Sequence, residues 1–173
     1  MLRPIQPKQR QPQSGTFAIV ASRYNARYVN AMLSAARAEL SRAGVSEIRI
    51  IRVPGAYEIP VVAAKIARNA SRVTHPASPL SAVICLGVIL RGETVHAAHI
   101  GEAISRALMD IQLAHEIPVV HEVLLLENEG QARVRCLGLK HNRGTEAAQT
   151  ALAMARVMAD LNAHTSESSN PSS

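Results

Sequence analysis

Three polar stretches of this chain hold side chains able to do chemistry: Arg23-Tyr24-Asn25, Val53-Pro54-Gly55-Ala56-Tyr57-Glu58-Ile59-Pro60, and Gly87-Val88-Ile89-Leu90-Arg91-Gly92-Glu93-Thr94-Val95-His96. The third is the richest. It follows an apolar run, Ala82–Leu86, and precedes a helical pattern of Ile100, Ile104, Leu108 and Ile111. It therefore reads as strand, tight glycine turn and helix start. Such a turn presents backbone N–H groups and the positive end of a helix dipole, which together suit a phosphate. Arg91 adds a full charge, Thr94 a hydroxyl, and His96 a side chain of the type that titrates near neutrality. The plainer reading is turn chemistry with a solvated histidine, and one short motif does not choose between the two.

The remaining candidates each have a chemical reading and a bland one. His96 suits proton transfer. Glu58 can accept hydrogen bonds from a polyol or amide, or simply charge a helix N-terminus. Tyr24 can stack on a flat heterocycle or be a rim tyrosine. Arg135 and Arg143 can bind phosphate or be ordinary surface arginines. His96 and His99 are spaced to share a metal, but no carboxylate or Cys joins them at ligand spacing, so no metal is expected. A GxGxxG after the first strand, a GxxxxGK[ST] loop and a GxSxG elbow are all absent, which weakens nucleotide-cofactor, P-loop and serine-hydrolase readings.

The elements that must position these groups follow from periodicity. Phe17–Ala21 is a first strand, and Val29, Met32, Leu33, Ala36 and Leu40 mark a helix closed by Gly44. Glu47–Val53 is a second strand, with Ile48, Ile50 and Ile51 toward the core. Pro60 suits the first turn of the next helix, whose inner face is Val62, Ala63, Ile66 and Ala67. Asn69–Pro79 is a loop. After the third strand and helix, Pro118 is a stop and Val119–Leu126 a fourth strand. A last helix runs from about Thr145 to Leu161, burying Ala148, Leu152, Ala155 and Met158. Four strand–helix repeats imply a three-layer α/β/α domain, a four-stranded parallel sheet with helices on both faces. Right-handed crossovers then put every strand–helix turn on one sheet edge, where open α/β sheets bind ligands. The three polar stretches all fall on that edge.

Composition narrows the class. At 173 residues with 47% hydrophobic and only 2% aromatic residues, the chain is one domain with an aliphatic core. So few aromatics argue against base stacking on single strands. The +6 net charge is scattered, with Arg3, Lys8 and Arg10 in a tail, so no nucleic-acid partner is expected. Cys85 and Cys136 have no CxxC partners and are expected as reduced thiols in the cytoplasm. No apolar run approaches membrane-spanning length. Residues 1–15 are expected to be a flexible extension, 16–161 the folded domain, and 162–173 a disordered tail.

In these stretches the chain resembles the lumazine synthase family. Val53–Pro60 matches its Val-Pro-Gly-Ala-aromatic-Glu-aliphatic-Pro signature, and Gly87–His96 its GxxxRGxTxH signature. Arg23-Tyr24-Asn25 and Asn142-Arg143-Gly144 resemble two of its turns, in the same order over about residues 16 to 161. The resemblance implies a flavodoxin-like fold and an enzyme that condenses 5-amino-6-(D-ribitylamino)uracil with 3,4-dihydroxy-2-butanone 4-phosphate. The product is 6,7-dimethyl-8-ribityllumazine, of riboflavin biosynthesis, with phosphate and water released and no cofactor. It further implies that Tyr24 stacks on the pyrimidine, that Ala56, Tyr57 and Glu58 hold the ribityl side, and that Val88, Ile89 and Leu90 offer backbone to the uracil. Gly92, Glu93 and Thr94 would cradle the phosphate, and His96 would move protons. Each site would lie between subunits of a pentamer, with His121, Arg135 and Arg143 supplied by the neighbour and Arg135 on the phosphate.

The chain also departs from the family. Ala97 and Ala98 follow His96 where an aromatic and an acid are usual. His121 stands where Phe usually closes over the pyrimidine, and it brings a titratable ring. Lys140-His141 replaces small residues in a region that influences whether pentamers pair or build shells. Two other readings therefore stay open: a non-catalytic ribityl-flavin or lumazine binder, and a shell-forming scaffold.

Overall fold

The computed structural model describes residues 15–72, 79–93 and 95–167. The elements in order are β1 (Thr16–Ser22), α1 (Ala26–Arg42), β2 (Glu47–Val53), α2 (Ile59–Ser71), β3 (Leu80–Leu90), α3 (His96–His115) and β4 (Val119–Leu126). A short α4 (Glu129–Ala132) widens into a π-helical turn (Arg133–Leu137), and α5 (Arg143–Glu167) closes the order. The strands form one parallel sheet in the order β2-β1-β3-β4.

Alternation along β1 divides the core in two. Phe17, Ile19 and Ala21 pack with Val29, Met32 and Leu40 of α1 and with Ala148 and Leu152 of α5. Ala18 and Val20 face the other way, onto Ile59 and Ala63 of α2 and Ile104 and Leu108 of α3. This is the expected three-layer arrangement, with two helices on each face. Each fully buried aliphatic side chain contributes about 1.5–3 kcal/mol of transfer free energy, so the two clusters hold the sheet from both sides. With so few aromatics, close approach replaces bulk. A side chain at Gly144 would overlap the Met32 carbonyl oxygen, so glycine lets α5 cross α1 backbone to backbone.

Several expected boundaries shift for physical reasons. Gly87 is not a turn residue: β3 continues through Leu90. A Cβ at Gly87 would lie 3.1 Å from Val123, 3.3 Å from Ile59 and 3.4 Å from Ala56, so this glycine brings the start of α2 down onto the sheet. β2 is an edge strand, so Ile50 is 38% exposed and only Val53 is fully buried. Gly44 ends the first helical region as expected, in the left-handed conformation (φ 77°). The third helix stops at left-handed Glu116 (φ 51°), before Pro118 is reached. α5 runs past Leu161 to Glu167, and Met158 is half-buried. Asn69–Ser71 belong to α2. The rest of the expected 69–79 loop up to residue 78, apart from Arg72, the N-terminal extension before Gly15, and the tail beyond Glu167 lie outside the described residues.

Candidate active site

The β1–α1 turn is built by one residue in an unusual conformation. Asn25 takes left-handed angles (φ 53°, ψ 42°) that asparagine tolerates better than most residues. The turn directs its amide to the Val88 carbonyl, 2.8 Å away. Beside it, the Arg23 N–H donates to Val53 O (2.8 Å) and the Tyr24 N–H to Pro54 O (3.1 Å). Two of the polar stretches are thus laced together, and Asn25 ties both to the third.

The β2–α2 turn closes on itself. Glu58 accepts the Gly55 N–H at 2.7 Å, and the Ala56 carbonyl accepts from Ile59 N–H at 3.2 Å. Gly55 is buried under the Tyr24 ring, since a Cβ there would lie 3.2 Å from the ring and 2.8 Å from the Glu58 carboxylate. Glycine therefore lets ring and carboxylate share one spot. Above it Tyr24 is 72% and Tyr57 64% exposed, two aromatic faces open to solvent in a chain with few aromatics.

β3 outruns β1. Their register ends at Ala21–Leu86, while β4 accompanies β3 to Leu90. Val88, Ile89 and Leu90 therefore have a strand on one side only, and the other side is the edge that Asn25 touches. Beyond them Arg91, Gly92 and Glu93 are exposed. Arg91 is not a loose phosphate ligand: its N–H donates to Leu126 O and its guanidinium to Glu127, both at 2.8 Å. Gly92 has no left-handed angle, and a Cβ there would meet nothing within 4 Å, so space is what it leaves. Thr94 lies outside the described residues. His96 is exposed at the first position of α3, where the free N–H groups of the helix start gather.

Tyr24, Ala56, Tyr57, Glu58 and Val88–Leu90 thus meet on the carboxyl edge of the sheet, with Gly92, Glu93 and His96 on the loop and helix start that leave it. His121 and Arg143 bond elsewhere, and Arg135 lies on another element. His121 accepts the Val123 N–H at Nδ1 (3.3 Å), so its own proton sits on Nε2, which donates to Ser105 Oγ at 2.8 Å. Ser105 in turn donates to Gly101 O (2.8 Å). Burial lowers the His121 pKa, a backbone hydrogen bond pulling the other way, so the ring stays neutral where a free histidine begins to charge. Arg135 is exposed on the π-helical turn.

Arg143 is held by carboxylates. Its Nε and Nη2 donate to the two oxygens of Glu122 at 3.0 and 2.8 Å, and its Nη1 to Glu146 at 2.6 Å. Burial disfavours the Arg143 cation, but Glu122 and Glu146 outweigh it and raise its pKa. Burial pushes Glu122 up to about 6 against the pull of Arg143. The carboxylate bears the cost because it is the deeper partner, with 8% of its side chain exposed against 33% for Arg143. Asn142 braces this corner: its amide donates to Cys136 O (2.6 Å) and its carbonyl accepts the Gly144 N–H (2.9 Å).

Glu122 and Ser105 are residues that sequence reasoning passed over, and it gave Asn25 no role of its own within its polar stretch. Glu122 carried a signal, since it is a charge at an inward position of an apolar strand, between Val120 and Leu124.

The comparisons with known proteins point to one family. A family model described as 6,7-dimethyl-8-ribityllumazine synthase matches residues 14–159. A protein of that name from Stenotrophomonas maltophilia is 38% identical over 154 residues, covering 88% of this chain and 94% of its own length. One from Xanthomonas oryzae pv. oryzae is 38% identical over 149 residues, 85% and 92% of the two chains. One from Xanthomonas campestris pv. campestris is 36% identical over the same shares. The matched span takes in all three polar stretches and the Asn142-Arg143-Gly144 turn, so the chain belongs to the 6,7-dimethyl-8-ribityllumazine synthase family.

Proposed function

We propose that this chain is a working 6,7-dimethyl-8-ribityllumazine synthase. It condenses 5-amino-6-(D-ribitylamino)uracil with 3,4-dihydroxy-2-butanone 4-phosphate and releases phosphate and water. The observation that carries this is the meeting of the three polar stretches on one sheet edge, inside a chain matched by the family from residue 14 to 159.

In this reading Tyr24 stacks on the pyrimidine, and the one-sided backbone of Val88, Ile89 and Leu90 pairs with its amide edges. Ala56, Tyr57 and Glu58 hold the ribityl chain. Gly92, Glu93 and Thr94, with the α3 N-terminus, take the phosphate. His96, close to that phosphate, moves protons while the amine and ketone form an imine, phosphate leaves and the ring closes. Holding two small reactants together replaces several kcal/mol of entropic barrier, and His96 adds about 10²–10⁴-fold.

His121, Arg135 and Arg143 complete the site of an adjacent subunit, Arg135 on the phosphate. The assembly is a homo-oligomer built from pentamers. Two features support it: His121 and Arg143 bond to residues other than those of the Tyr24 edge, and apolar side chains are exposed on α3 (Met109, Leu113) and α5 (Val157, Leu161). The enzyme works in the cytoplasm, a reading supported by two buried free thiols. Among the described residues no helix is long and apolar enough to cross a membrane.

The test is direct assay of the purified protein with both substrates against a protein-free control. Acceleration with matched phosphate release supports the proposal. Binding without turnover would replace it with the binder reading.

A further inference from the structure

We propose that Glu122 is a positioning residue for this reaction: its buried carboxylate fixes the plane and direction of the Arg143 guanidinium that meets the pyrimidine substrate. The inference rests on the placing of Arg143 in an adjacent subunit's site; with Arg135 on the phosphate, it takes the ligand of Arg143 to be the pyrimidine substrate.

The geometry is specific. Glu122 lies on β4 on the same face as Val120 and Leu124, the face turned toward the first core cluster. Arg143 is the first residue of α5. Strand and helix are thus coupled by a two-pronged contact, Nε to one oxygen at 3.0 Å and Nη2 to the other at 2.8 Å. Such a fork fixes a plane, which a single hydrogen bond does not. Glu146 takes Nη1 at 2.6 Å from within the same helix. What remains of the guanidinium is one N–H on each Nη. The Arg143 side chain is 33% exposed, and these remaining donors are what a uracil carbonyl would find.

Stability does not account for the carboxylate. A paired buried charge is often no better for the fold than a neutral group of the same shape, and burial pushes Glu122 up to about 6 even with Arg143 beside it. The charged groups facing it are Arg143 and Glu146 from α5 and Arg135 from the π-helical turn. A glutamine would fill the same space and keep a hydrogen bond, but it could not accept from both prongs. Orientation of Arg143 is what the carboxylate adds.

The experiment is steady-state kinetics on the assembled full-length enzyme, each substrate varied in turn. Wild type, Glu122→Gln, Arg143→Ala and the double variant are compared, with a melting curve for each. Glu122→Gln should raise KM for the ribitylaminouracil roughly three- to tenfold, the worth of an aligned hydrogen bond. Its kcat should stay within about twofold, because the lost contact acts on ground state and transition state alike. KM for the butanone phosphate should not move, and the melting temperature should hold or rise. The double variant should match Arg143→Ala alone. Two results would overturn the proposal with Arg143 still a ligand: an unchanged KM in Glu122→Gln, or an equal rise in the Arg143→Ala background. An Arg143→Ala enzyme with wild-type KM would overturn the role of Arg143, and the proposal with it. A wild-type enzyme without turnover would overturn the function itself.

Discussion

The Asn25 amide donates to the Val88 carbonyl across 2.8 Å and so fastens the end of β1 to the projecting end of β3. The bond orders two faces of the candidate site at once, the turn that carries Tyr24 and the backbone edge of β3 that has a strand on one side only.

Asn25→Ala should therefore harm both fold and activity. It leaves the Val88 carbonyl without this partner and puts alanine in the left-handed region, for a cost of about 1–3 kcal/mol. Asn25→Gly removes the conformational strain but not the missing bond, so it should recover part of the stability. Chemical denaturation of the three proteins checks the order wild type, glycine, alanine. The same order in kcat/KM would tie the bond to function.

Glycine substitutions should split sharply by position. Gly144→Ala drives a methyl into the Met32 carbonyl oxygen, a backbone atom that cannot swing aside. It should cost more than about 3 kcal/mol or prevent soluble expression. Gly92→Ala meets nothing within 4 Å and has no left-handed angle to oppose it, so its stability should stay within about 0.5 kcal/mol of wild type. Any rise in KM for the phosphate substrate in Gly92→Ala would then report on binding alone.

Stability should respond to pH through two opposed groups. Glu122 binds its proton more tightly folded, at about 6, than its ordinary 4.5. The fold therefore gains as pH falls from about 6 toward 4.5, by about 2 kcal/mol in all. His121 has the opposite sign. Its pKa is lowered by burial, so the stability it confers is present above its ordinary 6.5 and lost as pH falls below it. The two offset in wild type. Glu122→Gln should show a steeper loss of stability on acidification, and His121→Phe a gain. Melting temperatures from pH 7.5 to 4.5 check both signs.

The imidazole of His121 offers a spectroscopic prediction. With Nδ1 accepting from Val123 and Nε2 donating to Ser105, one neutral tautomer should dominate. Nitrogen-15 spectra should show the Nε2–H form and a titration midpoint below 6.5. Ser105→Ala should move that midpoint and broaden the tautomer signal. A midpoint unchanged by the substitution would show that the serine does not set the ring.

Much of this was legible in the sequence because burial leaves periodic marks. β2 and β4 fall on their expected bounds, for in each an apolar β-branched run is bracketed by turn residues. The three-layer order followed from repetition of strand and helix. Gly87 misled because a glycine that makes room and a glycine that turns the chain look alike in a sequence. Only the contacts with Val123, Ile59 and Ala56 separate them. The motif turns were visible, but the bond that joins them spans 63 positions between Asn25 and Val88. No local pattern records such a pairing. The same holds for Arg143, whose partner Glu122 lies 21 positions away; spacing left this arginine unassigned between ligand and surface charge and could not show which donors were already taken.

The central claim is tested most directly by product formation from the two substrates, followed side by side for wild type, His96→Ala and a protein-free control, since the condensation also runs slowly unaided. Wild type should accelerate the yellow lumazine clearly above the control with matched phosphate release. His96→Ala, folded and assembled, should lose about 10²-fold or more of the catalysed rate. A His96→Ala enzyme at the full wild-type rate, or a wild type no faster than the control, would contradict the account.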